Sequence, residues 1–154
     1  MIYLGSDHGG FEIKEQIKSY LVTRGLPFLD LGAQEFVDGD DYPEYATAVA
    51  EAVAEHPSKD VGILACRSGQ GVCITANKIK GIRAAVVWNT QAAAASRNDD
   101  FANVLCLPSD YVTATAAQDI VRAFLETEWS QDARHIRRIK KITQLEARVN
   151  THFK

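Results

Sequence analysis

The chain has 154 residues, of which 46% are hydrophobic and 24% charged, and its formal net charge is −3. Its length suits one domain, 1–154, and the acidic balance gives no general reason to expect a nucleic-acid partner. No apolar run approaches the roughly 20 residues that cross a bilayer, and the stretch 1–5 has no basic leader, so we expect a cytoplasmic protein without a membrane partner.

Apolar runs of strand length alternate with helical stretches, which is typical of a parallel sheet covered by helices on both faces. In chain order we predict a strand near 2–5, a helix over Phe11–Arg24, a strand near 26–31, a helix over Pro43–Glu55, a strand near 60–66, a helix over 71–79, a strand near 82–88, a helix over 90–98, a strand near 103–107, and helices over 112–126 and about 132–149. The fold class is therefore α/β, with five strands in the order 2-1-3-4-5 and a C-terminal helix. The stretch 32–41 is interpreted as a polar loop.

Two Gly-rich loops follow the first and third predicted strands, at 6–10 and 67–71. In the order 2-1-3-4-5 these loops flank the crevice at the carboxyl ends of the strands, where ligands bind in such sheets. The side chains brought there are Asp7, His8, Cys66 and Ser68. We therefore predict one cavity surrounded by four chemically useful groups.

The segment from Cys66 to Gly71 joins a thiol, a hydroxyl and backbone N–H groups at the start of a helix, where negative charge is favoured. Each group also has a structural interpretation: Cys66 as a buried strand residue, Asp7 as a helix cap and His8 as a turn residue. The loop lacks the third glycine of a dinucleotide fingerprint and a following lysine-serine pair, so no nucleotide cofactor is favoured. Three cysteines without close spacing argue for free thiols and against a zinc site.

Arg134 and Arg138 lie one turn apart on the predicted last helix. At 100° per residue the same direction carries Ile142, Leu145 and Val149, so the arginines belong to a stripe facing protein. Two guanidinium groups on such a stripe indicate an ion pair or a bound phosphate. Nucleic-acid binding through this basic segment is a further alternative.

Several separated motifs together resemble the ribose-5-phosphate isomerase B and galactose-6-phosphate isomerase family. They are the residues 5–10 (Gly-Ser-Asp-His-Gly-Gly), 41–43 (Asp-Tyr-Pro), the Cys66 loop, 76–78 (Ala-Asn-Lys), 81–83 (Gly-Ile-Arg), 96–97 (Ser-Arg), 102–104 (Ala-Asn-Val) and 134–135 (Arg-His). The resemblance implies a Rossmann-like three-layer α/β/α fold, no metal or cofactor, and a homodimer, or a dimer of such dimers, with active sites between subunits. It also implies aldose–ketose isomerisation of a sugar phosphate, in pentose phosphate metabolism for one branch, through a cis-enediolate.

The resemblance further implies a role for each matching residue. Cys66 matches the base that moves a proton between C1 and C2, and Ser68 matches the hydroxyl that orients the thiol. The predicted substrate contacts at matching positions are Asp7, His8, Tyr42, Gly69, Gln70, Gly71, Asn77, Asn98, Arg134 and Arg138, with the two arginines of the last helix reaching the phosphate across the dimer. Arg67 is a further predicted contact, at a position that departs from the family. A tuned base beside a cage of hydrogen-bond donors is the arrangement that this chemistry needs.

Three positions depart from the family pattern. Asp99 stands where many members carry a histidine that opens the furanose ring, and an ionised carboxylate is a poor acid. Asp110 stands where relatives often have an arginine near the phosphate. Arg67 replaces a small residue; it either restores an anion site from a new direction or pairs with Asp99 or Asp110.

We predict an aldose–ketose isomerase with Cys66 as base and Asp99 as a participant in ring opening. An acyclic substrate, such as a tetrulose phosphate, would not need ring opening. The alternative from another class is a non-catalytic sugar-phosphate-binding protein or a heteromeric partner subunit.

Overall fold

Five parallel strands form a single sheet in the computed structural model, which describes residues 1–149. The strands are β1 (Ile2–Ser6), β2 (Phe28–Asp30), β3 (Val61–Cys66), β4 (Ala84–Val86) and β5 (Val104–Pro108), and the helices are α1 (Phe11–Thr23), α2 (Tyr42–Glu55), α3 (Gln70–Ala76), α4 (Thr90–Asp100), α5 (Ala114–Glu126) and α6 (Ala133–Val149). A short 3-10 helix at His8–Gly10, which the sequence did not predict, precedes α1. The predicted α/β alternation is confirmed, with boundaries shifted by a few residues.

The strand order is 2-1-3-5-4, so the predicted order 2-1-3-4-5 is wrong at its last two positions. β5 is five residues long and buried throughout, whereas β4 has three half-buried residues. The longer, fully apolar strand therefore takes the inner position beside β3, and β4 forms the edge. Because parallel crossovers are right-handed, the step back from β4 to β5 places α4 on the same face as α1 and α5.

The two faces of the sheet carry separate apolar cores, as the three-layer α/β/α prediction requires. Along β3, Ile63 and Ala65 pack with α1, α4 and α5, whereas Leu64 and Cys66 pack with α2 and α3. This alternation follows from the two-residue period of a strand. It places the Cys66 side chain on the α2–α3 side.

The carboxyl ends of β1, β3 and β5 lie side by side. Ser6 is level with Ala65, and Cys66 is level with Pro108. The loops that follow these strands therefore meet at one edge of the sheet, called the carboxyl edge below. Among residues 1–149, no helix is long and apolar enough to span a bilayer.

Candidate active site

Cys66 is the last residue of β3 and lies at the boundary between the α2–α3 core and the carboxyl edge. Its side chain is only 5% exposed, and its carbonyl accepts a hydrogen bond from the Ser109 N–H at 2.9 Å. The next two residues, Arg67 and Ser68, are exposed. The thiol thus lies directly beneath a solvent-facing loop, and all three cysteines carry free thiols as predicted.

The loop between Cys66 and α3 turns sharply at Gly69, which has a φ of +72°. The Gln70 N–H donates to the Ser68 hydroxyl at 3.3 Å, so this hydroxyl contacts the first residue of α3. The other N–H groups in the first turn of a helix have no acceptor within that helix. They form a patch of hydrogen-bond donors above the end of β3, and the predicted contact of Ser68 with the thiol stays a prediction.

Tyr42, the first residue of α2, covers this loop from the side. A Cβ atom added to Gly71 would lie 2.5 Å from the Tyr42 ring, so the phenol packs directly on the glycine backbone. Gly71 is needed here because any side chain would displace the ring. The structure therefore places Tyr42 at the loop, and its predicted contact with substrate stays a prediction.

Asp7 and His8 follow β1 and enter the short 3-10 helix. The buried Asp7 Oδ1 accepts the Gly10 N–H at 3.1 Å, so Asp7 is a cap. The His8 backbone N–H and ring Nδ1 both donate to Asp40 Oδ1, at 2.7 and 2.8 Å. The hydrogen bond that the His8 ring donates to Asp40 raises the pKa of His8, whereas burial raises the pKa of Asp7. Asp7 and His8 therefore present a buried acid and a favoured cation side by side.

Asp40 was missed by sequence reasoning because it lies in the stretch interpreted as a plain polar loop. Burial acts to raise its pKa, but hydrogen bonds from His8 and Tyr45 bring the pKa below its ordinary value. The ligand atoms of Asp7, His8 and Asp40 lie within 4.8 Å of one another, a spacing that suits a small cation. The His8 Nδ1 atom, however, already donates to Asp40 and so lacks a lone pair for a metal.

The loops after β1 and β3 touch each other through Arg67. A Cβ atom on Gly9 would lie 2.4 Å from the Arg67 Cγ, so the arginine side chain crosses the glycine. The Arg67 Nε donates to Asp110 Oδ2 at 3.2 Å. Of the alternatives left open for Arg67, pairing with Asp110 is therefore observed. Its two terminal nitrogens have no partner among residues 1–149.

A recess of about 510 Å³ opens beside the same loop. Its lining residues are Ser68, Gln70, Val86, Trp88, Pro108 and Tyr111. Ser68 and Gln70 belong to the loop that follows Cys66, but the buried Cys66 is not itself among the lining residues, so the recess borders the loop above the thiol. Asp7 and His8 lie outside this recess, so the single cavity predicted for all four groups is instead two neighbouring areas joined by Arg67.

Asn77 lies at the end of α3, away from the carboxyl edge. Its side-chain amide donates to the Ala84 carbonyl and accepts the Ala84 N–H, both at 2.9 Å. These two hydrogen bonds satisfy the backbone groups of Ala84 on the free edge of β4. The structure therefore gives Asn77 a role in holding the edge strand, and its predicted contact with substrate stays a prediction.

Asn98 and Asp99 lie at the end of α4, next to the opposite edge of the sheet. β5 runs from Val104, level with Gly62, to Pro108, level with Cys66. Those four steps span about 13 Å, and Asp99 precedes Val104. Asp99 and Cys66 of the same chain are therefore far apart, and Arg67 does not pair with Asp99 of its own chain.

The α6 arginines do not face protein within the chain, which corrects the predicted stripe. Arg134 and Arg138 are exposed, and the Arg134 Nε pairs with Asp132 at 3.3 Å. Ile142 and Leu145 are 48% and 60% exposed. The stripe exists, but nothing in residues 1–149 covers it; the side chain of Val149 lies outside the described part.

Comparisons with known proteins agree on one family. A family model described as Ribose/Galactose Isomerase matches residues 2–142. A probable ribose-5-phosphate isomerase B of Mycoplasma genitalium is 44% identical over 145 residues, covering 94% of this chain and 95% of the relative. Ribose-5-phosphate isomerase B of Escherichia coli is 41% identical over 149 residues, covering 97% and 98%.

Solved structures give the same result. The crystal structure of ribose-5-phosphate isomerase B from Mycoplasma genitalium with bound ribulose-5-phosphate superposes with a TM-score of 0.92 at 44% identity, covering 95% of each chain. Ribose-5-phosphate isomerase B of Clostridium thermocellum gives a TM-score of 0.91 at 39% identity, covering 96% of this chain and 98% of that one. With a matching fold and a family model that spans nearly its whole length, this chain belongs to the ribose/galactose isomerase family.

Proposed function

We propose that this chain interconverts an aldose phosphate and a ketose phosphate, with ribose 5-phosphate and ribulose 5-phosphate as the pair. The observation that carries the proposal is the near full-length match to ribose-5-phosphate isomerases B, one of them solved with ribulose-5-phosphate. The cytoplasmic location that we expect from the sequence stays a prediction.

Cys66 is the proposed base. Isomerisation removes a proton from the carbon next to a carbonyl and returns it to the neighbouring carbon, so one base can serve both steps. Its position at the end of β3, below the donor groups that begin α3, supports this role. Those N–H groups would bind the enediolate oxygen as its negative charge develops.

The phosphate would be bound by cations from two directions. The Arg67 guanidinium, held through Nε by Asp110, keeps both terminal nitrogens available for the bidentate contact that phosphate favours. His8 lies beside it, with Asp40 favouring its protonated form. Asp110 would then orient the cation and would not repel the substrate.

A second copy of the chain would complete the site. Asp99, Arg134 and Arg138 lie far from Cys66 in one chain, yet the family resemblance assigns them to the same site. The uncovered Ile142 and Leu145 support an interface along α6, beside a groove of about 560 Å³ that β4 also lines. A two-fold dimer that buries this face brings the two halves together in both sites.

Replacing Cys66 with alanine tests the proposal. General base catalysis contributes at least about 100-fold, so Cys66→Ala should lower kcat by that factor or more while the fold is retained. Cys73→Ala is the matched control, because this half-buried thiol donates to the Ala84 carbonyl and lies in the body of α3. Circular dichroism and a coupled assay would measure fold and turnover.

Substrate choice needs a panel of ribose 5-phosphate, allose 6-phosphate and tetrulose phosphates. Turnover of ribose 5-phosphate supports the named pair, whereas turnover of tetrulose phosphates alone supports the acyclic alternative. If the wild type binds sugar phosphates without turning any over, and Cys66→Ala binds them equally well, the chain is a binding protein or a partner subunit.

A further inference from the structure

His135 is a buried histidine in an otherwise exposed helix. Its ring is 4% exposed, although the residues on either side of it face solvent or are half-buried. Ser130 Oγ lies 2.7 Å from Nδ1, and Asp99 Oδ1 lies 3.8 Å from Nε2. The imidazole thus stands between a hydroxyl and the carboxylate at the position where the ring-opening histidine was expected.

The hydrogen bonds around Ser130 fit a neutral ring that carries its proton on Nε2. The Asp132 N–H donates to Ser130 Oγ at 3.3 Å, which leaves the hydroxyl hydrogen free to donate to Nδ1 of His135. Nε2 then carries the hydrogen and points it at Asp99. The Ser130 N–H also donates to the Asn98 carbonyl at 3.3 Å, which ties this segment to the end of α4.

Asp99 is held through one oxygen only. Oδ1 accepts the Asn98 side-chain N–H at 2.7 Å and faces the His135 Nε2–H. Oδ2 accepts no hydrogen bond from the described residues, and the side chain is 48% exposed. Both contacts lie on Oδ1, so Oδ2 is the oxygen that is open to the proton of a sugar hydroxyl.

We propose that Asp99 opens the sugar ring as a base, through Oδ2, and that His135 is the residue that positions it. The role rests on the proposed function, because Asp99 reaches the sugar only in the shared site. Asp99 takes the proton of the C1 hydroxyl, the C1–O4 bond breaks as the C1 carbonyl forms, and O4 receives that proton. The atoms of the sugar are conserved, so no co-reactant is needed.

Two carboxylates lie near His135: Asp99 faces Nε2 from α4, and Asp132 also interacts with the ring electrostatically. Asp132, from the segment before α6, contacts Arg134 through both carboxylate oxygens. Oδ2 lies 3.3 Å from the Arg134 Nε, and Oδ1 accepts the Arg134 backbone N–H at 2.8 Å. Arg134 and Arg138 lie on α6 itself and are exposed. The imidazole therefore couples to Asp99 across the gap between α4 and α6.

Two assays separate ring opening from isomerisation. Ribose 5-phosphate is a furanose and must open, whereas ribulose 5-phosphate stays acyclic because its O5 carries the phosphate. Turnover of ribose 5-phosphate therefore needs both ring opening and isomerisation. Exchange of the C1 hydrogen of ribulose 5-phosphate with D₂O, followed by proton NMR, needs only the Cys66 step.

Asp99→Asn should lower turnover of ribose 5-phosphate by about 100-fold, down to the rate set by spontaneous opening, and change C1 exchange less than about two-fold. His135→Asn has no donor that reaches Asp99 and should lower the same turnover about ten-fold. His135→Gln places an amide N–H near the former position of Nε2 and should restore the turnover of ribose 5-phosphate. Asp119→Asn, an exposed carboxylate paired with Arg122 on α5, is the control.

The pH profile identifies the base. Asp99→His places an imidazole at the site, so the ratio of ribose 5-phosphate turnover to C1 exchange should fall below about pH 6.5. The wild type, which has no imidazole at this position, should not show that fall.

The role is overturned if Asp99→Asn leaves that ratio unchanged, or if His135→Asn and His135→Gln lower both rates equally. A wild-type protein that catalyses neither turnover nor C1 exchange would overturn the proposed isomerase itself. The two failures are therefore distinguishable.

Discussion

The proposed contact of His8 with the phosphate predicts that substrate binding depends on pH. The hydrogen bond to Asp40 raises the pKa of His8, so the cation is fully present below the ordinary imidazole value of about 6.5 and is lost as pH rises through the raised value. The KM for ribose 5-phosphate should therefore rise over that higher range. Asp40→Asn keeps an acceptor oxygen but removes the charge, so the rise should begin at lower pH.

Steady-state kinetics from pH 5.5 to 9 would measure this change, and the NMR shift of the His8 ring protons would report its titration directly. The ratio of KM values for wild type and Asp40→Asn cancels the titration of the substrate phosphate. Identical midpoints for the two proteins would contradict a role for the Asp40 charge.

Residue-scale prediction from the sequence works where chemistry and chain position coincide. Cys66 could be singled out because a thiol ends an apolar run and a Gly-rich turn follows it within three residues. Asp40 and His135 could not, because their partners lie 32 and 36 residues away in the chain. A contact at that separation is decided by how helices pack, and the local pattern carries no trace of it.

At the scale of elements, the turn into α3 depends on Gly69. Its φ of +72° is disfavoured by about 1–2 kcal/mol for a residue with a Cβ, and an added Cβ would lie 3.1 Å from the Pro108 nitrogen. Gly69→Ala should therefore lower the free energy of unfolding and lower kcat at least about ten-fold, by displacing the N–H groups above Cys66.

Gly25→Ala is the matched control for that substitution. Gly25 has a φ of +65°, but nothing lies within 4 Å of an added Cβ. Its free energy of unfolding should fall by the backbone contribution alone, with kcat unchanged. Urea unfolding and kinetics would compare the two variants; a fully active Gly69→Ala, no less stable than Gly25→Ala, would show that the turn is not critical.

The elements themselves could be predicted from the sequence, but their neighbours could not. Every strand was placed because each is a short apolar run between turn residues. The position of β4 depends on whether β4 or β5 takes the inner place beside β3. The complete burial of Val104–Pro108 in the structure shows that β5 takes it. The reversal at β4 also decides the face of α4, and therefore the place of Asp99.

On the scale of the whole molecule, the residues of the proposed site fall into two separated halves of one chain. The carboxyl edge holds the thiol, the donor groups of α3, His8 and Arg67. The opposite edge holds Asp99 and the cations of α6. The sequence already contained both sets of residues, yet their separation follows from strand polarity: a loop after a strand and a loop before a strand lie at opposite edges of a parallel sheet.

Mixing two inactive variants tests whether a second copy joins these halves. Cys66→Ala lacks the base, and the double variant Arg134→Ala/Arg138→Ala lacks the cations of α6; each alone should be nearly inactive. In a shared-site dimer, a heterodimer contains one intact site, built from the thiol of one chain and the arginines of the other. Equal co-expression makes half of the dimers heterodimers, so activity should return to about a quarter of the wild-type value. Light scattering would confirm the dimer, and a mixture as inactive as its parents would contradict sharing, because sites confined to single chains leave every copy with one defect.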